Sequence, residues 1–450
     1  MMDITHLRAL TPGCTETAYF DNAGSGLHTE NVTRTVVDHL LLESRIGGYA
    51  AADREHERVE GVYASVARLL NARPDEIALL DSATRAWDMA FHAIDFRPGD
   101  RILASRSEYP SNGLAFLQAK RRHGVVVEPI PDDEHGQVDL DALAEMLAQG
   151  GVRLVAVNHV PTYDGLVQPA AEIGALARRA GALYLLDACQ TAGQLPLDVR
   201  ELGCHLLSAA GRKFLRGPRG TGFLYVDREV VKQLEPSALD LRSATWTGPD
   251  SYEIRPDARR FETWERSVAD LLGLGAAVDE ALDLGLDPIR ARVDTLAERL
   301  RAGLSDLDGV RVHDRGRVRS GIVTFTKEGR EAQQLVHGLR ASGVTVSASQ
   351  PSGARFDIRP GKPSDVVRAS AHYYNTDDEL GRLLDCVATP ARTSTSPAPP
   401  APTSGPSTAD TPARSSTPTP SRTTCHFTGA AGARGRALCG AGKSTEGEST

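Results

Sequence analysis

The sequence predicts an α/β fold: a large domain on a mainly parallel sheet, then a smaller α+β C-terminal domain. Three observations predict it. Short runs apolar at every position recur between residues 77 and 226, and a strand apolar on both faces has to be covered on both, as in a parallel sheet. Amphipathic stretches of helical period lie between those runs, as crossover connections require. From about Val268 the pattern changes to longer helices with only short strand-like runs.

Taken in order, an N-terminal segment (1–28) precedes helical patterns at 29–44 and 57–70. The first strand is expected at 77–80, with a helix over 85–94 behind it. Further strands are expected at 101–104, 154–157, 183–186, 206–209 and 222–226, with helices at 140–148 and 170–179 in the intervals. This places the large domain at 29–265. Helices over 269–284 and 287–305, with strands around 321–326 and 344–347, make the smaller domain, 266–388. Residues 389–450 are a Pro/Ser/Thr/Ala-rich tail whose small apolar content cannot offset the entropy of ordering, so disorder is expected there. Its GAGKST (440–445) resembles a phosphate loop by chance only: Ala437 stands where the motif needs glycine, and no strand precedes it.

A chain of 450 residues exceeds the usual single domain. Its formal net charge of −8 gives no global attraction to nucleic acid or an anionic membrane, so the expected partner is a small molecule. No apolar run approaches the roughly 20 residues that span a bilayer, and the start, MMDITHLRALTPG, has no basic region followed by an apolar stretch. A cytoplasmic location is the expectation. Cys14, Cys189, Cys204, Cys386, Cys425 and Cys439 show no CxxC spacing, which suits reduced thiols better than disulfides or a metal site.

Chemistry concentrates between Leu183 and Val226. Asp187 closes one apolar run, so it faces the crevice where open α/β sheets bind ligands, and a carboxylate there can keep a ring nitrogen protonated. Lys213 follows the next run, where a partly desolvated amine can attack an aldehyde and later move protons. Alone, Asp187 reads as a helix cap and Lys213 as a solvated loop cation. Together they match the way proteins hold pyridoxal phosphate. The turn Asp81-Ser82-Ala83-Thr84, between a strand and a helix, offers free amides and hydroxyls to a phosphate.

An ordered set of motifs, YFDNAGSG, SATRAWD, SEYPSN, NHVPTYDGLVQP, LLDACQTAGQLPLDV, AGRKFLRGPRGTGFLYV and VVRASAHYYNT, resembles the class V aminotransferase family, the cysteine desulfurase or NifS-like group, from about Ala18 to Cys386. The resemblance implies fold type I with a seven-stranded sheet, pyridoxal 5'-phosphate, an amino-acid substrate and a homodimer. Position by position it implies that Lys213 binds the cofactor, Asp187 meets the pyridine nitrogen and Gln190 the ring hydroxyl. It places Ala83 and Thr84 at the phosphate, Tyr109 over the ring, and Arg212 where the family has a histidine. Arg368 would grip the substrate carboxylate, a task suited to a bidentate fork, and Asn22 lies in the stretch approaching the substrate.

Departures narrow the chemistry. The stretch VSASQPSGARFDIRP lacks the nucleophilic cysteine that cysteine desulfurases carry shortly before the carboxylate arginine. Ala210 replaces a phosphate-contacting hydroxyl, and Thr162 stands where many members have asparagine. Cys386, on the last helix, reads as a small buried hydrophobe. Trp264, Arg266, Arg355, Arg359 and Tyr163 read as packing or surface residues as readily as substrate contacts. The reading favoured is a carbon-sulfur lyase acting by beta-elimination on cysteine or a cysteine S-conjugate. The alternatives are an aminotransferase, an aldehyde-forming decarboxylative deaminase, an epimerase or an inactive binding module.

Overall fold

The computed structural model describes residues 2–350, 353–357 and 361–389, which belong to one compact unit. The 389–450 tail is therefore outside the described residues except for Thr389, and so is Arg359.

Strand β1 (Ala18–Tyr19) precedes the helices Glu30–Ile46 and His56–Leu70. Thr29 caps the first by accepting a hydrogen bond from the Val32 amide, so the helix starts one residue later than the periodicity suggests.

The large sheet contains β2 (Ile77–Leu80), β3 (Arg101–Ala104), β4 (Val126–Pro129), β5 (Val152–Asn158), β6 (Leu183–Asp187), β7 (Leu206–Ala210) and β8 (Gly222–Val226). Their spatial order is β2-β8-β7-β6-β5-β3-β4. Only β8 runs against its neighbours; the pairs from β7 through β4 are parallel. Leu79, Leu103, Val155, Val157, Tyr184 and Leu186 enter one core, while Ala78, Ile102, Leu154, Ala156 and Leu185 enter another. Successive residues thus bury on opposite faces, which is why these strands are apolar throughout. Each fully buried Leu or Val contributes about 1.5–3 kcal/mol. β4 is the exception: an edge strand with Val126 exposed and Pro129 at its end, it carries no continuous apolar signal.

β9 (Ala244–Gly248) and β10 (Ser251–Ile254) form a hairpin with Trp246 opposite Tyr252, both exposed. The sequence pattern had not suggested it. A smaller sheet follows, with β11 (Val310–Val312), β12 (Ile322–Lys327), β14 (Ser347–Ser349) and β15 (Val366–Ser370) in the order β11-β12-β15-β14. The strand expected at 344–347 is divided. Its first part, β13 (Val344–Thr345), pairs in parallel with β1, and β14 turns to β15. The helices Leu286–Ser305, Ala332–Ala341 and Asp377–Ala388 close a third core around Leu300, Phe325, Leu339 and Leu383. No helix among the described residues is long and apolar enough to cross a membrane.

Gly222 opens β8 opposite Leu80, where a Cβ would stand 2.4 Å from the Ser82 carbonyl carbon and 2.5 Å from the Ala83 amide nitrogen. The turn that begins the helix Ala83–His92 is thereby pressed against the sheet. Gly222→Ala must push this backbone away and is expected to destabilise the fold by about 1–3 kcal/mol, read as a lower urea midpoint.

Candidate active site

β5, β6 and β7 run parallel and end side by side at Asn158, Asp187 and Ala210, so their carboxyl ends open one crevice. Ala83, Thr84, Tyr109, Asp187, Gln190, Arg212 and Lys213 all line it. Burial, with Arg212 and Arg368 nearby, lowers the Lys213 amine from its ordinary range, against the opposing pull of Cys189 and Asp187. A lysine so placed is neutral and nucleophilic at lower pH than a solvated one.

The Lys213 loop is tightly held. The Gly26 amide donates to the Arg212 carbonyl at 2.8 Å, and a Cβ at Gly26 would lie 2.5 Å from the Lys213 carbonyl oxygen. Arg216 adopts a left-handed φ of 64°, its amide bonded to the Lys213 carbonyl at 2.9 Å. Its guanidinium donates to Leu27 O (2.6 Å), Thr11 Oγ1 (2.7 Å) and the Tyr373 hydroxyl, and lies 4.7 Å from the Tyr374 ring centroid. These contacts offset the strain of a non-glycine residue in that conformation.

Asp187 Oδ1 accepts from the Cys189 amide at 2.9 Å; residues 189–191 form a turn and no helix follows directly, so Asp187 caps none. Gln190 donates to Ala23 O and Thr162 Oγ1, both at 3.1 Å, and its buried Oε1 has no partner among the described residues. Buried acceptors are seldom left unmet. Ser82 caps the helix by accepting from Arg85 N at 3.1 Å, so the helix starts at Ala83 rather than at Arg85. The Ala83 and Thr84 amides then precede any intrahelical carbonyl and suit an anion. Arg212 donates to the Gly24 carbonyl, and Tyr109 is 38% exposed at the start of the helix Pro110–His123. An amine, a carboxylate, an unmet acceptor and free amides around one crevice complement a molecule with an aldehyde, a ring nitrogen, a ring hydroxyl and a phosphate.

Arg368, on β15, donates from Nη1 to Thr162 O (3.0 Å) and Oγ1 (2.8 Å), and from Nη2 to Asp21 Oδ1 (3.0 Å). Its buried Nε has no partner among the described residues. Nε and the adjacent Nη2 form the edge that a carboxylate can grip with two bonds. Asn22 does not line the crevice. It is fully buried, donating to Ser370 O at 2.7 Å and accepting from the Tyr374 hydroxyl, while its neighbour Asp21 is the residue that touches Arg368.

Other candidates lie in structural roles. Arg266 donates to Glu262 Oε2 (2.9 Å) and the Tyr63 hydroxyl (2.8 Å). Trp264 and Arg355 are exposed. The Tyr163 hydroxyl donates to the Glu108 carbonyl at 3.3 Å, and Cys386 packs against the third core. Sequence reasoning assigned no role to Asp21, Glu108, Asn112 or Asn158, although each lies inside a motif that carried the resemblance. It also passed over Cys189, which lines the crevice with a thiol that burial and Asp187 push well above its usual range. Thr162 Oγ1 serves both Gln190 and Arg368. Thr162→Val, which removes this acceptor from two buried donors, is expected to cost about 1–3 kcal/mol of stability, measurable by chemical denaturation.

Comparison with known proteins places this geometry. A sequence model of the aminotransferase class-V family matches residues 18–383. A probable cysteine desulfurase from Methanothermobacter thermautotrophicus is 31% identical over 348 residues, 76% of this chain and 86% of that protein. A cysteine desulfurase from Dickeya dadantii is 29% identical over 378 residues, 82% of this chain and 90% of that protein. The apo structure of a cysteine desulfurase from Thermococcus onnurineus NA1 superposes with a TM-score of 0.80 at 25% identity, covering 86% of this chain and 98% of that one. The sheet is that of fold type I, and with a matched span of this length the chain belongs to the class-V aminotransferase family.

Proposed function

We propose that this protein is a pyridoxal-phosphate-dependent enzyme that cleaves the carbon-sulfur bond of cysteine or a cysteine S-conjugate by beta-elimination. The observation that carries this reading is the grouping of the Lys213 amine, Asp187, the unmet Gln190 Oε1 and the free Ala83 and Thr84 amides around one crevice. Kinship with proteins named cysteine desulfurases supports a substrate built on cysteine. The absence of cysteine from 346–360 favours elimination over persulfide formation. Cys189 does not fill that gap, since the thiolate is the nucleophile and burial holds this group as a thiol.

In this reading Lys213 would hold the cofactor aldehyde, Asp187 would meet its ring nitrogen and Gln190 Oε1 would accept from its ring hydroxyl. Ala83, Thr84 and Arg212 would hold its phosphate, and Tyr109 would cover the ring. Bound there, pyridoxal phosphate supplies an electron-accepting ring for a bond breaking at the substrate alpha carbon. Arg368 orients the substrate through its carboxylate, with the free Nε edge toward it. The Lys213 amine, already lowered by burial, would take the alpha proton. A thiolate leaves from the beta carbon, and after hydrolysis of the remaining fragment the products are a thiol, pyruvate and ammonium. A second copy of the chain belongs to this reading, supported by the exposed aromatic side chains of Trp246, Tyr252 and Trp264; light scattering would report a dimer.

The decisive experiment supplies cofactor with a panel of amino acids and cysteine S-conjugates and identifies products by mass spectrometry. A thiol with pyruvate and ammonia is expected. An aldehyde with carbon dioxide, an amino product requiring an added oxo acid, or an inverted alpha carbon would replace the lyase assignment. Lys213→Ala is expected to abolish borohydride-fixable attachment of the cofactor and to lower turnover by about 10²–10⁴-fold or more. Arg368→Lys keeps the charge but loses the fork, and a rise in KM of about 10–100-fold is expected for the lost charged hydrogen bonds.

A further inference from the structure

Asp187 has a buried carboxylate behind it. Glu108, in the loop between β3 and the helix Pro110–His123, is 3% exposed. Two side-chain amides stand between the acids. Asn112 Nδ2 donates to Glu108 Oε1 at 2.8 Å and to Asp187 Oδ2 at 3.2 Å. The side-chain amide of Asn158, at the end of β5, lies 2.9 Å from each of those oxygens; with its nitrogen turned to them it donates to both while its oxygen accepts from the Tyr109 amide at 2.7 Å. Glu108 also accepts from the Tyr109 amide at 3.0 Å and from Ser105 Oγ at 3.4 Å. The titratable groups facing it are Asp187, from β6, and Tyr163, whose hydroxyl reaches its carbonyl from the loop after β5. Ser105, Asn112 and Asn158 are neutral, so two negative charges here would repel through shared donors.

We propose that Glu108 is a positioning residue for Asp187: it holds the Asn112 and Asn158 side-chain amides, and through them fixes Asp187 Oδ2 where the cofactor ring nitrogen would lie. This rests on the cofactor assignment above and extends it to a residue outside the crevice lining. The protonation of Glu108 has a physical cause. Burial pushes its carboxyl up to about 8, with Asp187 adding to the rise and the Asn112, Tyr109 and Ser105 hydrogen bonds opposing it. Above that pH a second charge appears beside Asp187 and alters the field at the ring.

The test follows the absorbance of bound pyridoxal phosphate against pH in the full chain, alongside urea melts of the cofactor-free protein. In the wild type a spectral step is expected near pH 8, absent from Glu108→Gln, which retains the cofactor. Asn112→Ala keeps Glu108 but removes a donor favouring its charged form, and is expected to move the step to higher pH. The stability readout has a defined sign. A carboxyl raised above its unfolded value binds extra protons in the native state, so its stabilising contribution is full below the unfolded pKa and is lost as pH rises to the folded one. The wild type should therefore lose stability relative to Glu108→Gln between about pH 5 and 8. A step that persists unchanged in Glu108→Gln, or a stability difference that is flat across this range, would overturn the role of Glu108 while leaving the cofactor assignment intact. Failure of the wild type to take up cofactor would overturn that assignment, and the role of Glu108 with it.

Discussion

The buried guanidinium of Arg216 is the interaction on which the site depends. One side chain bonds Thr11 and Leu27 near the start of the chain, reaches the Tyr373 hydroxyl near its end and lies over the Tyr374 ring, while its own amide closes the turn carrying Lys213. A buried charge has to be well satisfied to be tolerated, and here the groups that satisfy it come from segments that would otherwise have little reason to meet. The demand of one cation for partners thus draws these segments to the loop that presents the amine. The left-handed backbone of the same residue aims that loop.

Much of this was legible in the sequence where a residue's job coincides with a local pattern. β2, β3, β6, β7 and β8 stand out because alternate residues bury in opposite cores, leaving no polar face to interrupt the run. Lys213 and Asp187 stand out because strand ends in such a sheet carry the chemistry. Where burial is one-sided or absent, the signal fades. β4 lies at an edge, and the Trp246–Tyr252 hairpin is exposed, so neither needed the composition of a buried strand. The split of 344–349 into β13 and β14 depends on which partner each half finds, β1 or β15, and no local pattern encodes that.

The polar groups follow the same logic. Asn22 sits in a stretch that does reach the site, but its amide is spent on Ser370 and Tyr374, and Asp21 makes the contact with Arg368. Asp21 makes an isolated bridge and Asn22 begins the turn after it, so a sequence that places a segment correctly does not say which of two neighbours faces inward. Glu108 and Asn112 were passed over for a related reason: they bond each other four residues apart, but what joins them to the site, Asn158 and Asp187, comes from the ends of other strands.

The parallel pairing of β1 with β13 has a consequence for the order of events during synthesis. Residues 18 and 19 leave the ribosome early and have no sheet partner until residues 344 and 345 follow. The Asp21–Arg368 contact waits longer still. The Lys213 loop waits as well, since Arg216 in that loop finds Tyr373 and Tyr374 only after residue 368 has been made. A nascent chain of this protein therefore cannot finish one side of its crevice ahead of the other: both wait for the segment 366–374.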